Sequence, residues 1–374
     1  MYHLRNRYWD RGKNLDPKEG NFSLPVDLIR TFAIVLVIVL HAAREPIQIV
    51  DQMSPAGVTL WWTVNIYDSL ARSAVPLFVM LSGALLLQPA KLGEPLGVFF
   101  KKRLNRIGLP FLFWGAAYFA WRFFVYGETL SANSILQGVL NGPYTHFWFF
   151  YLLIGLYLIT PVLRVLVAYI DWKTFQFFLI LWFLGTAIVP LMGLFGAYSL
   201  NSNVFIVTGW VGYYLLGAYC LKVRMSSKVL YTLLILGLTW TIIGTYLVVG
   251  NIGERFSQFF HDGYSFSMIG TSAALFLLLA AISSNTLEER FPRGRRMLHL
   301  ISQNTIPIYL FHVMVLEALQ KGFFGFQISL ATMNPVLEVP LITVVTLLTC
   351  LGVIYPLRRI PLVKKLIGSS DAPF

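Results

Sequence analysis

The residues most able to do chemistry in this chain sit where chemistry is least expected, inside apolar runs. Arg30 and His41 bracket the first of these, with Glu45 just beyond it. On a helix, eleven residues turn about 20° past three full revolutions and rise roughly 16 Å. Arg30 and His41 therefore share one stripe, a cation at one end and an imidazole at the other. Glu45 follows His41 at i+4, where a carboxylate could hold the ring's tautomer. An imidazole so held can take a proton from a hydroxyl or carry an acyl group. Taken singly, Arg30 would be an interfacial anchor and His41 a satisfied helix-end group. The shared stripe argues for a site.

Other polar residues recur at similar depths. Asp68 and Arg72 pair at i+4 near one end of the second apolar run, which continues through Pro76 to Ser82-Gly83, a sequence suited to a kink and a close helix approach. Lys101, Lys102, Arg103 and Arg106 form a basic cluster, with Arg103 and Arg106 expected on one helix face. Such a cluster binds phosphate, or simply supplies charge at the membrane's inner surface. His146 and Trp148 open the fourth run, and His146 is expected at the depth of His41. Thr305, Tyr309 and His312 form a stripe in the ninth. We found no phosphate-binding glycine loop, no HExxH and no CxxC. Two cysteines, Cys220 and Cys350, are too few for a disulfide framework or a structural zinc, and no metal is expected.

These residues must be positioned by membrane helices. Of 374 residues 57% are hydrophobic and 12% charged, about half the charge of an ordinary soluble domain. Mean hydropathy is +0.67. A soluble core could not hide so much apolar surface, and the net charge of +12 reads as the cationic bias of cytoplasmic loops rather than a nucleic-acid surface. Ten stretches approach the roughly 20 residues a spanning helix needs: 26–43, 60–87, 107–125, 147–168, 175–194, 204–221, 229–249, 266–282, 305–319 and 339–355. With the N-terminus inside, most of the 29 Lys and Arg residues fall on one side. The expectation is an all-α polytopic membrane protein with a bundle of about ten transmembrane helices and both termini cytoplasmic. Residues 1–24 and 358–374 would be tails and 25–357 the membrane domain. The first twenty residues lack an apolar core, so no cleavable signal peptide is expected.

The ordered set of motifs resembles the integral-membrane acyltransferase family 3. It comprises Asp27-Leu-Ile-Arg30 with ten residues to His41, Val75-Pro-Leu-Phe-Val-Met-Leu-Ser-Gly83 and Arg103-Leu-Asn-Arg106. His146-Phe-Trp-Phe-Phe-Tyr, Gly212-Tyr-Tyr-Leu-Leu-Gly217 and Ile308-Tyr-Leu-Phe-His312 follow. Within that family the chain is similar to the compact surface-polysaccharide O-acetyltransferases, including the type that modifies enterobacterial common antigen. The resemblance implies a multi-pass enzyme of the cell inner (plasma) membrane. It would move an acetyl group from acetyl-CoA to a hydroxyl of a glycan or lipid-linked saccharide. It carries the essential arginine and histidine onto Arg30 and His41, and the paired arginines onto Arg103 and Arg106. Lys101 and Lys102 would assist with the donor's phosphates. Asp68, Arg72, His146, Trp148, Tyr309 and His312 would line the substrate path. Glu45 comes from helix spacing alone. The alternatives are a secondary transporter or flippase, which should show inverted repeats that we do not find, a non-catalytic scaffold, and a short acyl donor other than acetyl.

Overall fold

The computed structural model describes residues 24–44, 55–195, 209–252, 258–282, 292–330 and 332–369, and these contain helices and turns but no strand. In lipid this is the required solution, because only a helix satisfies its backbone hydrogen bonds within one segment. The main helices are α1 (Leu24–Ala43), α2 (Pro55–Ala71), α3 (Ala74–Leu86), α4 (Leu96–Arg103), α5 (Leu109–Tyr126), α6 (Ala132–Asn141), α7 (Trp148–Tyr169) and α8 (Trp172–Phe183). They continue as α9 (Val189–Phe195), α10 (Trp210–Cys220), α11 (Ser227–Ile252), α12 (Phe266–Ala280), α13 (Pro292–Gln303), α14 (Thr305–Gln320), α15 (Pro335–Leu357) and α16 (Pro361–Ile367).

Each of the ten expected stretches contains helix. Among the described residues six helical segments are both long and apolar enough to cross a bilayer: 24–43, 55–86, 145–169, 172–194, 227–251 and 335–357. The helices of the other four stretches are shorter or less apolar, α12 and α14 having 15 and 16 residues.

The second stretch is not one continuous helix. It breaks at Arg72–Ser73, four and three residues before Pro76. The proline has no N–H to give the carbonyl of Arg72, and its ring crowds that carbonyl. Helix α1 is the hub: it packs against α2, α3, α12, α13, α14 and α15, and most of it is buried. Few residues of the segments 172–194 and 227–251 are buried, which leaves apolar surface for lipid to cover.

The tightest crossing is α3 against α10. A Cβ on Gly83 would lie 1.8 Å from the Tyr214 carbonyl oxygen, and one on Gly217 would lie 1.9 Å from that of Met80. Glycine at both positions lets the two backbones touch. On the opposite side of α3, Arg164 of α7 ties down the connector to α4. Its Nε donates to the Leu86 carbonyl at 2.7 Å and its Nη1 lies 3.0 Å from Glu94. Its guanidinium also sits 4.6 Å over the Phe99 ring.

Candidate active site

The α1 stripe ends in a cluster of three histidines drawn from three helical segments. The His41 and His312 rings are 4.8 Å apart, those of His146 and His312 5.6 Å, and those of His41 and His146 6.5 Å, all edge to face. His146 and His312 are buried. Tyr118 packs on His146 at 5.0 Å, and its hydroxyl donates to the Leu310 carbonyl. The Tyr309 hydroxyl donates to the His146 carbonyl at 2.9 Å, fastening the turn 145–147 to α14.

Two of the tautomers follow from the partners. His41 Nδ1 lies 2.9 Å from the Val37 carbonyl and His312 Nδ1 lies 2.6 Å from that of Tyr309. A carbonyl only accepts, so both Nδ1 atoms carry hydrogen and the neutral rings keep their lone pair on Nε2. The Val37 carbonyl one turn back holds the His41 ring at Nδ1. Glu45 itself lies outside the described residues. Among the described residues no group of three His, Cys, Asp or Glu side chains is arranged to hold a metal ion.

Next to the cluster lies a mostly apolar, partly open pocket. Phe78 to Leu86 on α3 and Phe149 to Tyr157 on α7 form its walls, each run spanning about 12 Å of helix. Tyr309, 5.7 Å from the His312 ring, lines it too. So do Arg30 and Arg106, and no carboxylate joins them in the lining. From α1 the lining takes Arg30, while His41 lies eleven residues on at the other end of the helix; Tyr309 is the lining residue that packs on the histidine cluster.

The basic cluster is split by the fold. Of its four members Arg106 alone lines the cavity. Arg103 is buried against the Phe99 and Tyr157 rings, Lys102 is held 2.7 Å from Glu94, and Lys101 is exposed. Residues Leu104–Gly108 form a π turn, and Arg103 and Arg106 both lie beside Tyr157, Arg103 over its ring and Arg106 with it in the pocket lining. Trp148 is exposed and packs on Trp210.

Asp68 and Arg72 pair as expected, with Nε to Oδ1 at 2.8 Å, one helical turn or more beyond His41. The sequence reading had not given Asp68 its second cation, Arg44 at 2.8 Å, nor His261 at 3.3 Å. Arg164 and Glu94 were missed as well. An arginine late in an apolar helix was the only signal for Arg164.

The model of the acyltransferase domain family matches residues 25–355. The chain belongs to acyltransferase family 3. The match takes in the whole α1 stripe, the arginine-lined pocket and the histidine cluster of this membrane acyltransferase. No curated protein and no solved structure shows a significant match to it.

Proposed function

We propose that this family 3 acyltransferase moves an acetyl group from acetyl-CoA to a hydroxyl of a cell-envelope glycan or its lipid-linked precursor, at the inner membrane. The observation that carries the reading is a mostly apolar pocket lined by two arginines and by Tyr309, whose ring packs on the histidine cluster. Two guanidinium groups in one lining suit an anion of several charges, such as the phosphates of coenzyme A. The apolar walls suit the uncharged pantetheine arm, whose thioester would supply the acyl carbon. Arg106 and Arg30 hold the phosphates in this reading. Arg103 keeps the wall at Tyr157 in place, and Lys101 and Lys102 are peripheral.

His41 Nε2 is the base. It takes the proton from the acceptor hydroxyl as the oxygen bonds to the acyl carbon, and returns it to the departing thiolate. The ester and the free thiol are the products, and the proton count closes. His312 and His146 shape the pocket around the transferring group. An acyl-imidazole on His41 is the two-step variant of the same chemistry.

Acetyl-CoA binding to the purified protein in detergent tests this. The wild type binds, Arg106→Ala weakens binding by about tenfold or more, the loss of one charged contact, and Lys101→Ala changes little. His41→Ala retains binding and loses acyl transfer by about 10²–10⁴-fold. A folded wild type that does not bind the donor, or full turnover in His41→Ala, overturns the reading.

A further inference from the structure

A second pocket opens one turn beyond His41. Arg44 lines it from α1, with Trp61 and Asp68 from α2, Thr245 from α11, and Gln258 and His261 from the turn before α12. Arg44 is three residues after His41, on the same side of the helix and roughly 4.5 Å further along. A molecule seated here has His41 within reach.

The hydrogen-bond capacity of this pocket is one-sided. Its acceptors are spent internally. Asp68 is 2% exposed, with Oδ2 taken by Arg44 Nε at 3.0 Å and Nη2 at 2.8 Å, and Oδ1 facing Arg72. Gln258 Oε1 accepts from both Arg44 and Arg72, which also fixes which end of that amide is oxygen. Asn65 Oδ1 faces Ser69 and His261. What is left over is rich in donors. With Nε and Nη2 of Arg44 engaged, its Nη1 has two hydrogens to offer. The Gln258 amide nitrogen points the opposite way from its occupied oxygen. Thr245, 3% exposed, has its hydroxyl buried without a hydrogen-bond partner. Buried hydroxyls are rarely left so without a ligand or water to meet them.

A pocket that offers donors and a cation, beside an indole, suits a sugar ring whose substituent is rich in acceptor oxygens and negatively charged. We infer that this pocket is an acceptor subsite for an anionic saccharide, with Trp61 against the sugar ring and Arg44, Thr245 and Gln258 on a carboxylate or phosphate beside the acylated unit. The inference rests on the glycan-acyltransferase reading above. It deepens that reading by giving the acceptor a charge, and direct binding tests it without any acyl transfer.

The probes are a short oligosaccharide containing a uronic acid, the same compound with its carboxyl reduced to a neutral alcohol, and a glycosyl phosphate of the neutral sugar. Each is titrated into the full-length protein without acetyl-CoA. The uronate or the phosphate should bind about tenfold or more tightly than the neutral compound, the range of one charged hydrogen-bonded contact. Preference for the uronate assigns the anion to the glycan, and preference for the glycosyl phosphate assigns it to the lipid-linked end. Arg44→Gln should remove most of that preference. Because Arg44 also braces Asp68, Thr245→Val serves as the second variant: it keeps the side chain's shape, deletes the donor and should weaken the preferred probe several-fold. Equal binding of charged and neutral probes, no binding of any, or unchanged affinity in Thr245→Val and a folded Arg44→Gln overturns the inference. Failure of acetyl-CoA binding would instead remove the function it rests on.

Discussion

At the scale of single residues, some buried polar groups face a cavity and some brace the fold, and His261, which also lines the second pocket, does both. It lies between spans, packed against Asp68, Asn65 and Ser69, and its pKa is pushed down from 6.5 to about 4. Burial is the main cause. Asp68 pulls the other way, but Arg72 and Arg44 already occupy that carboxylate and their charges add to the depression. A histidine with a lowered native pKa is neutral when folded and takes up a proton on unfolding below pH 6.5. Its stabilising contribution is therefore complete above that pH and is lost between 6.5 and about 4, reaching about 3 kcal/mol at the lower limit. Thermal unfolding of wild type and His261→Gln in the same detergent, at pH 7.5 and pH 5, checks this. The wild type should lose more stability across that interval than the variant. Equal losses would mean that His261 does not titrate with folding.

Helices turn such residues into a site, and here the legibility of the sequence depended on how far apart the partners lay along the chain. The Arg30–His41 stripe could be read because both residues ride one regular helix, where 100° per residue is a reliable ruler. Between Arg103 and Arg106 the same ruler is interrupted by a π turn, of which periodicity carries no warning. The meeting of His146 and His312 with His41 depends on how α1, α7 and α14 pack, which spacing within one helix does not specify. The ion pairs of Arg44 with Asp68 and of Arg164 with Glu94 are of the same kind. Close packing was legible at Gly83, and its partner proves to be α10. That contact has a sharp consequence. Gly217→Val would place side-chain atoms on the Met80 backbone, already 1.9 Å from an added Cβ, and neither chain can retreat without moving α3, which walls the cavity. The substitution should abolish the folded, detergent-stable protein. Gly155→Ala, whose Cβ meets nothing within 4 Å, should leave the elution profile on size-exclusion chromatography unchanged. A well-folded Gly217→Val would show that the two helices are not held so close.

Over the whole molecule, the arginines and the histidines define a direction. Arg106 immediately precedes α5, and Gly368 at the end of α16 packs against Pro110 on α5 and Ile306 on α14, the latter a cavity residue. The C-terminal helix therefore lies at the Arg30 end of the α1 stripe, whereas the pocket of Arg44, Thr245 and Gln258 lies past His41 at the other. A donor entering between Arg30 and Arg106 and an acceptor arriving beside Arg44 would approach from opposite faces of the bilayer. Acetyl-CoA is too highly charged to cross lipid unaided, so the two orders of addition are separable. In sealed vesicles with the protein inserted in both orientations, externally added donor should reach only molecules whose C-terminus faces outward. A protease-cleavable C-terminal tag measures that fraction, and the fraction of enzyme consuming external donor should equal it. Permeabilising the vesicles should raise donor consumption to that of the full population. Equal use of donor by both orientations in sealed vesicles would require a donor entrance at the Arg44 end, and the assignment of Arg30 and Arg106 to the phosphates would fall with it.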